Sequence, residues 1–555
     1  MLSFRAGLLM GGLFSALAAA AQSAQPAPEA MAALAQVQPA DLKAHIHYLA
    51  DDQLRGRQPG TPGYQLAVDY VTQQLKSFGV KPAGDKGSFV QRVRLRRAFV
   101  QPGAAFSLRP AAGPAASLVS GQDYVFYPNP AAPAVQVDAP VVFAGYGITA
   151  PELSYDDYAG LDAKGKLVVV VRGAPRAFPS TVAAASQDLL LIMHNAVEHG
   201  AVGVLVASTN PKANVPNLQR GTYSVLDERG QVAASRTFLP GGQLQLAGSL
   251  TAATLQRLLS AAATDTSQVL GALRQGRPAS VPVPGQVSAT FSSRYQDFDS
   301  YNVVGQIRGS DKRLRREYVV HSAHLDHLGV AAPVQGDSIY NGAHDNASGV
   351  ASVLEIARTY SRLKQKPKRS ILLVLQTGEE LGLLGSAYFA SHPTVPKASL
   401  VADVNTDMPT IIAPLLSVVP LGAQHSSLAG PVAQAAAALG LTVEADPEPE
   451  QNRFIRSDQY SFVLQGIPAL HIKYGNRTAD GRNNLSELVQ KWRAVTYHKP
   501  QDDINGLFDF EAGKKYVQLN FLIGYLVAND PQRPTWNAGD FFGGRFGQLQ
   551  KSKNE

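Results

Sequence analysis

From Glu317 to Asp530 the sequence alternates short apolar runs with amphipathic segments, and this alternation constrains the fold more than any other feature. "EYVVHSAH" (Glu317–His324), "RSILLVLQ" (Arg369–Gln376), "SLVADVN" (Ser399–Asn405) and "IPALHIKYG" (Ile467–Gly475) read as strands. Between and after them, Ala347–Leu363, Gly382–His392, Gly430–Leu441 and Phe510–Asp530 carry helical spacing. Strands alternating with helices predict an α/β fold: a mostly parallel, mixed sheet flanked by helices.

In open α/β sheets ligands bind beyond the carboxyl ends of the strands. His324 and Asp326 follow the first strand, and Glu379 and Glu380 the second. Asp407 follows the third, and Asp345 precedes the first helix. Each successive rim position therefore offers an imidazole or a carboxylate. An isolated "EE" is usually two solvated glutamates. Here the pair sits between a strand with the apolar run Ile371–Leu375 and "LGLLGS", which pins it near the core, where two unpaired carboxylates cost several kcal/mol. His324 and Asp326 form an H-x-D pair, with Asp326 placed to steady the imidazole or its surroundings. His321 reads as a strand residue. His327 and His344 are ligands by type but are read as pocket wall. "RSDQYSF" reads equally well as a pocket loop or as a helix start capped by Ser457 or Asp458.

"SAHLDHLG", "NGAHDNASG", "TGEELGLLGS", "NTDM", "SDQYSFVLQGIPAL" and "YHKPQDD" together resemble the motif series of the co-catalytic di-zinc aminopeptidases, whose relatives include glutamate carboxypeptidase and glutaminyl cyclases. The segments Val141–Val171 and Asn195–Ser208 resemble the protease-associated domain that many members carry. The resemblance implies a zinc exopeptidase fold with a smaller, β-rich protease-associated insert. It also implies two Zn²⁺ per chain. His324 and Asp407 would bind one, Glu380 and His498 the other, and Asp345 would bridge them. The Asp345–Asn346 bond is the place for the family's cis peptide. Glu379 would be the general base, and Tyr497 would polarise the substrate carbonyl.

Charge balance is compatible with this set. Two Zn²⁺ meet three carboxylates and two neutral imidazoles, and a hydroxide cancels the remaining charge. The donor mix suits zinc and disfavours calcium. The implied activity is a metallo-aminopeptidase acting on peptides with a free N-terminus. A carboxypeptidase is the alternative, since Arg453, Arg456 and Lys473 could meet a free carboxylate. A non-catalytic, receptor-like protein is a third reading, opposed by the intact ligand set.

Residues 1–21 read as a secretory signal peptide: Arg5 precedes an apolar core too short for a stable span, and Ala19 and Ala21 fit a cleavage pattern. The expectation is an exported protein, periplasmic or secreted, without a membrane anchor. The chain has no cysteine, so neither disulfides nor a lipoprotein anchor is available. Net charge is +7, but the basic runs Arg92–Arg97 and Asp311–Glu317 are not interleaved with aromatics, which argues against nucleic acid. The expected layout is signal 1–21, linker 22–39, peptidase start 40–135, insert 136–285, main peptidase part 286–530, and a loose polar tail 531–555.

Overall fold

The computed structural model describes residues 27–111 and 114–551. The expected signal peptide lies outside the described residues.

A short helix, Pro28–Leu34, lies inside the expected linker and buries Ala30, Ala33 and Leu34 in the core; two longer helices follow, α1 (Pro39–Leu49) and α2 (Pro62–Ser77). Each begins with proline, whose missing N–H costs nothing in the first turn. Leu42, His45, Ile46 and Leu49 form the buried face of α1, as their spacing predicts. Thr61 caps α2 by accepting the Tyr64 amide at 3.3 Å.

Strand β1 (Val90–Val100) leads into a second sheet. That sheet contains β2 (Ala105–Pro110), β3 (Ala134–Phe143), β4 (Leu167–Val171), β5 (Gly203–Ala207) and β6 (Leu246–Leu250). Strands β3, β4, β5 and β6 are parallel neighbours. Helix α3 (Leu189–Glu198) packs Ile192, Met193 and Ala196 against Val168, Val170 and Val204 of this sheet. Helix α4 (Ala252–Ala261) follows β6.

The chain returns through β7 (Val281–Ile307), a single strand of 27 residues. Its first half pairs antiparallel with β2 and β3, and its second half with β1. The boundary expected near residue 285 therefore falls inside a continuous strand. A bulge beside Gly285 (φ +115°) shifts the register there without ending the strand, and Val287, Ala289 and Phe291 keep the buried alternation. Residues 105–110, expected in the peptidase part, belong to the second sheet instead.

The main sheet continues with β8 (Tyr318–His324), α5 (Ser348–Arg362), β9 (Ser370–Gln376), α6 (Leu384–Ser391) and β10 (Leu400–Asn405). It ends with β11 (Ser417–Leu421), α7 (Ala429–Ala438), β12 (Ala469–Tyr474), α8 (Leu485–Thr496) and α9 (Phe510–Asn529). The order across it is β1–β7–β9–β8–β10–β12–β11. Strands β9, β8, β10 and β12 are parallel, while β7 and β11 are antiparallel to their neighbours. Every residue of β9 and β10 is buried, so both faces are covered, as a parallel core requires. The architecture is the expected α/β one.

The segment after 531, expected to be loose, is folded up to residue 551. Helix α10 (Phe541–Phe546) buries Phe541, Phe542 and Phe546, and Asp540 caps it through the Phe542 amide at 2.9 Å. Arg545 bonds Asn195 and Glu198 on α3, so this end ties the two sheets together. Its glycine-rich composition hid a three-phenylalanine anchor. Among the described residues, no helix is long and apolar enough to cross a membrane.

Candidate metal centre

The parallel strands end on one rim, and the candidate ligands stand there. His324 is the last residue of β8. Glu380 lies four residues past β9 and Asp407 two past β10. Asp345 sits in an irregular turn, Ala343–Ala347, that leads into α5. His498 follows α8 with φ +55°, a left-handed conformation that costs a non-glycine residue about 1–2 kcal/mol and aims its ring at the rim. The Asp345–Asn346 peptide is cis.

These five side chains form two triangles that share one carboxylate. His324 Nε2 is 3.3 Å from Asp345 Oδ1 and 3.6 Å from Asp407 Oδ1. His498 Nε2 is 3.3 Å from Asp345 Oδ2 and 3.4 Å from Glu380 Oε2. In a tetrahedral zinc shell with bonds of about 2.0–2.1 Å, neighbouring ligand atoms are about 3.3–3.4 Å apart. Both triangles fit that spacing, and Asp345 offers a different oxygen to each. The residues present therefore fit a pair of divalent ions.

His327, read from sequence as wall, is part of this cluster. With Asp345 and Glu380 it makes a second three-ligand group, its atoms within 4.8 Å of one another. Its Nδ1 lies 2.8 Å from Glu380 Oε1, too short for two donors of one tetrahedral shell, and neither atom has a hydrogen-bond partner among the described residues. Glu380 thus turns Oε1 to His327 and Oε2 to His498. His344 faces away from the cluster: its ring stacks on Phe508, with centroids 4.2 Å apart, and meets Asp502 at 3.3 Å.

Charge pairing sets the protonation of the metal-free site. Burial works against the charged form of His498, but its bonds to Asp345 and Glu380 outweigh this and raise it to about 10. His324 is likewise held well above its usual range despite burial, by Asp345 and Asp407. Burial would push Asp345 up, yet His324 and His498 hold it well below the ordinary carboxylate range. Burial, together with Glu380, Asp407 and Asp458, holds Glu379 well above its own range, against the opposing pull of His324.

The surrounding shell comes from residues distant in sequence. Asp326 accepts the Glu379 and Glu380 amides at 3.1 and 3.3 Å, so it fixes the double-glutamate loop. The His324 ring is steadied by the Asp326 carbonyl at 3.1 Å, while the Asp326 carboxylate is 4.0 Å away. Asn346 accepts the Gly349 and Met408 amides and donates to the Thr406 carbonyl, which links the Asp345 and Asp407 loops. Asp502, unmarked in the sequence reading, accepts the His344 and Asp345 amides at 2.9 and 3.0 Å. Ser457 Oγ accepts from Asn405, and Asp458 at the start of the next short helix makes no side-chain cap. Tyr497 lines the cavity, stacked on His498 with centroids 3.8 Å apart and covered by the Arg493 guanidinium at 3.7 Å.

Arg57 was also missed. It is 1% exposed and donates to the carbonyls of Leu49, Leu325, Asn341 and Gly342. It thus pins the N-terminal helices to the loops that carry His324 and Asp345. Arg57→Met leaves those carbonyls unpaired, at about 1–3 kcal/mol each where no water replaces the bond. The expected result is a fall in Tm of about 5 °C or more, measured by calorimetry on the metal-loaded protein. An unchanged Tm would show that the clasp is dispensable.

Comparison with known proteins bears on this segment. Residues 302–514 match Peptidase family M28. Leupeptin-inactivating enzyme 1 of Streptomyces exfoliatus is 27% identical over 276 residues, covering 47% of this chain and 58% of that protein. Carboxypeptidase Q of Rattus norvegicus is 38% identical over 120 residues, covering 21% of this chain and 23% of that one. The chain thus spans less than two thirds of the length of either curated relative. Among solved structures, an aminopeptidase from Aneurinibacillus sp. strain AM-1 is similar at 19% identity and a TM-score of 0.47, over 91% of this chain and 97% of that one. The segment matched to Peptidase family M28, residues 302–514, contains both triangles.

Proposed function

We propose that this chain is an exported, zinc-dependent metallo-exopeptidase that binds two zinc ions and releases N-terminal residues from peptides. One observation carries the reading: Asp345 turns Oδ1 to His324 and Oδ2 to His498, each at 3.3 Å, as a carboxylate shared by two ions would. The mixed imidazole and carboxylate donors support zinc. The signal-like residues 1–21 support export.

Bound zinc would supply a Lewis acid for the scissile carbonyl and acidify the attacking water. Glu379 lines the cavity beside His324 and Asp407 and serves as the base. It takes the proton from water and returns it to the leaving amine. Its carboxyl, raised by burial in the metal-free site, suits retention of that proton, and bound dications would favour the ionised form that accepts one. Burial raises the Tyr497 hydroxyl, so it stays protonated and can donate to the developing oxyanion. Its stacking between His498 and Arg493 holds the ring without a new ordering cost during reaction.

A carboxypeptidase direction is the second reading, favoured by Arg453, Arg456 and Lys473, all of which line the cavity. Aminoacyl nitroanilides and their N-blocked forms test the direction. The expected result is hydrolysis of free-amine substrates alone, abolished by chelation and restored by zinc. Zinc must displace protons from His324 and His498, whose affinity for them is raised in the metal-free site. Zinc affinity is therefore expected to fall as pH falls, with proton release on uptake measurable by calorimetry in buffers of different ionisation enthalpy. Activity that survives complete removal of metal would defeat the proposal.

A further inference from the structure

The cavity at the metal triangles is about 70 Å³, and its wall is rich in cationic side chains. Its lining carboxylates are Asp345, Glu379 and Asp407, all assigned above as ligand or base. None is left over to meet a further cation. Four lysine or arginine side chains share the same wall: Arg453, Arg456, Lys473 and Arg493.

Two of the four are already engaged. Arg453 is paired with Asp446 and Glu448. Lys473 donates to the carbonyls of Asp407 and Met408 at 3.0 and 2.8 Å. The other two make no ion pair among the described residues. The Arg493 guanidinium stacks on the face of Tyr497 and otherwise reaches only the Met408 sulfur, at 3.6 Å. Arg456 is exposed and makes one long contact, to the Gln451 carbonyl at 3.4 Å. Stacking occupies a guanidinium's face and leaves its N–H edge free for a planar carboxylate.

We propose that Arg493 and Arg456 form a carboxylate-binding subsite beside the scissile bond, so that preferred substrates carry a negative charge on the residue seated there. This rests on the exopeptidase reading for its place in a reaction, but not for the binding itself. The carboxylate has two possible sources, an aspartyl or glutamyl side chain or the free terminus of a short peptide. The first makes the chain an acidic aminopeptidase, and the second a carboxypeptidase or dipeptidase.

The test is calorimetric binding to the zinc-loaded full chain with two probe pairs. Glutamic acid α-amide against glutaminamide isolates the side-chain carboxylate. Glycyl-leucine against glycyl-leucinamide isolates the terminal one. One acid is expected to bind about 10-fold or more tightly than its amide, the size of a charge-assisted bond, and which one does so identifies the source. Arg456→Gln, at an exposed position, and Arg493→Gln should each cut that preference at unchanged zinc content. Equal binding of acids and amides, or a preference that survives in the double variant, overturns the subsite. Turnover of matching peptides is followed in parallel. A carboxylate preference without any turnover would sink the peptidase reading and leave the subsite standing, whereas turnover without the preference would do the reverse.

Discussion

An Asp345→Asn protein is expected to lose both zinc ions and, with them, at least ~10³-fold in turnover. Asp345 faces His324 with one oxygen and His498 with the other, so one substitution strikes both triangles. Asparagine keeps a single acceptor and turns a donating NH₂ toward one ion, and the lost charge weakens both. A Lewis acid contributes several kcal/mol to such a reaction, and each 1.4 kcal/mol is tenfold in rate. Elemental analysis after gel filtration, paired with nitroanilide hydrolysis, checks both halves. Retention of two zinc ions per chain would refute the shared carboxylate.

Glu379→Gln should do the opposite to metal and much the same to rate. The amide keeps the shape but cannot take a proton, so turnover falls by roughly 10²–10⁴-fold while zinc content stays unchanged. The metal-free protein offers a second readout. Glu379 is held well above the ordinary carboxylate range, by burial first and then by Glu380, Asp407 and Asp458. A carboxyl raised in the folded state favours folding below the unfolded pKa, and that contribution is lost as pH rises through the folded one. Glutamine has no such loss. After chelation, the variant should therefore gain in Tm relative to wild type as pH climbs above about 4.5. A Tm difference that does not change with pH would show that Glu379 carries no such strain.

Much of the candidate cluster is legible in the sequence. His324, Glu380, Asp407 and His498 stand at or shortly past the end of a strand or helix, Asp345 stands just before a helix, and all but His498 were visible as rim positions of an alternating pattern. Their supporting residues were not readable. Arg57 lies 268 positions from the Leu325 carbonyl it holds, and Asp502 lies 157 from the Asp345 amide. Neither stands in a local pattern that signals its partner. His327 was undervalued because its one-residue offset from Asp326 says nothing about its approach to Glu380. The two-sheet strand β7 escaped because a bulge at Gly285 looks, in sequence, like an ending. The folded end near Phe541 escaped because glycine outweighs its phenylalanines in composition, though not in burial.

Taken alone, the sequence determined the alternation of strand and helix, the parallel sheet that follows from it, and the chemical types on its rim. Those are local properties, set by side-chain periodicity and by what a strand end can present. Tertiary structure decided which oxygen of Asp345 faces which imidazole, which histidines approach which carboxylate, and which cavity arginines make no ion pair among the described residues. Such choices depend on ångström distances between loops far apart along the chain, and only packing of the whole core sets those distances.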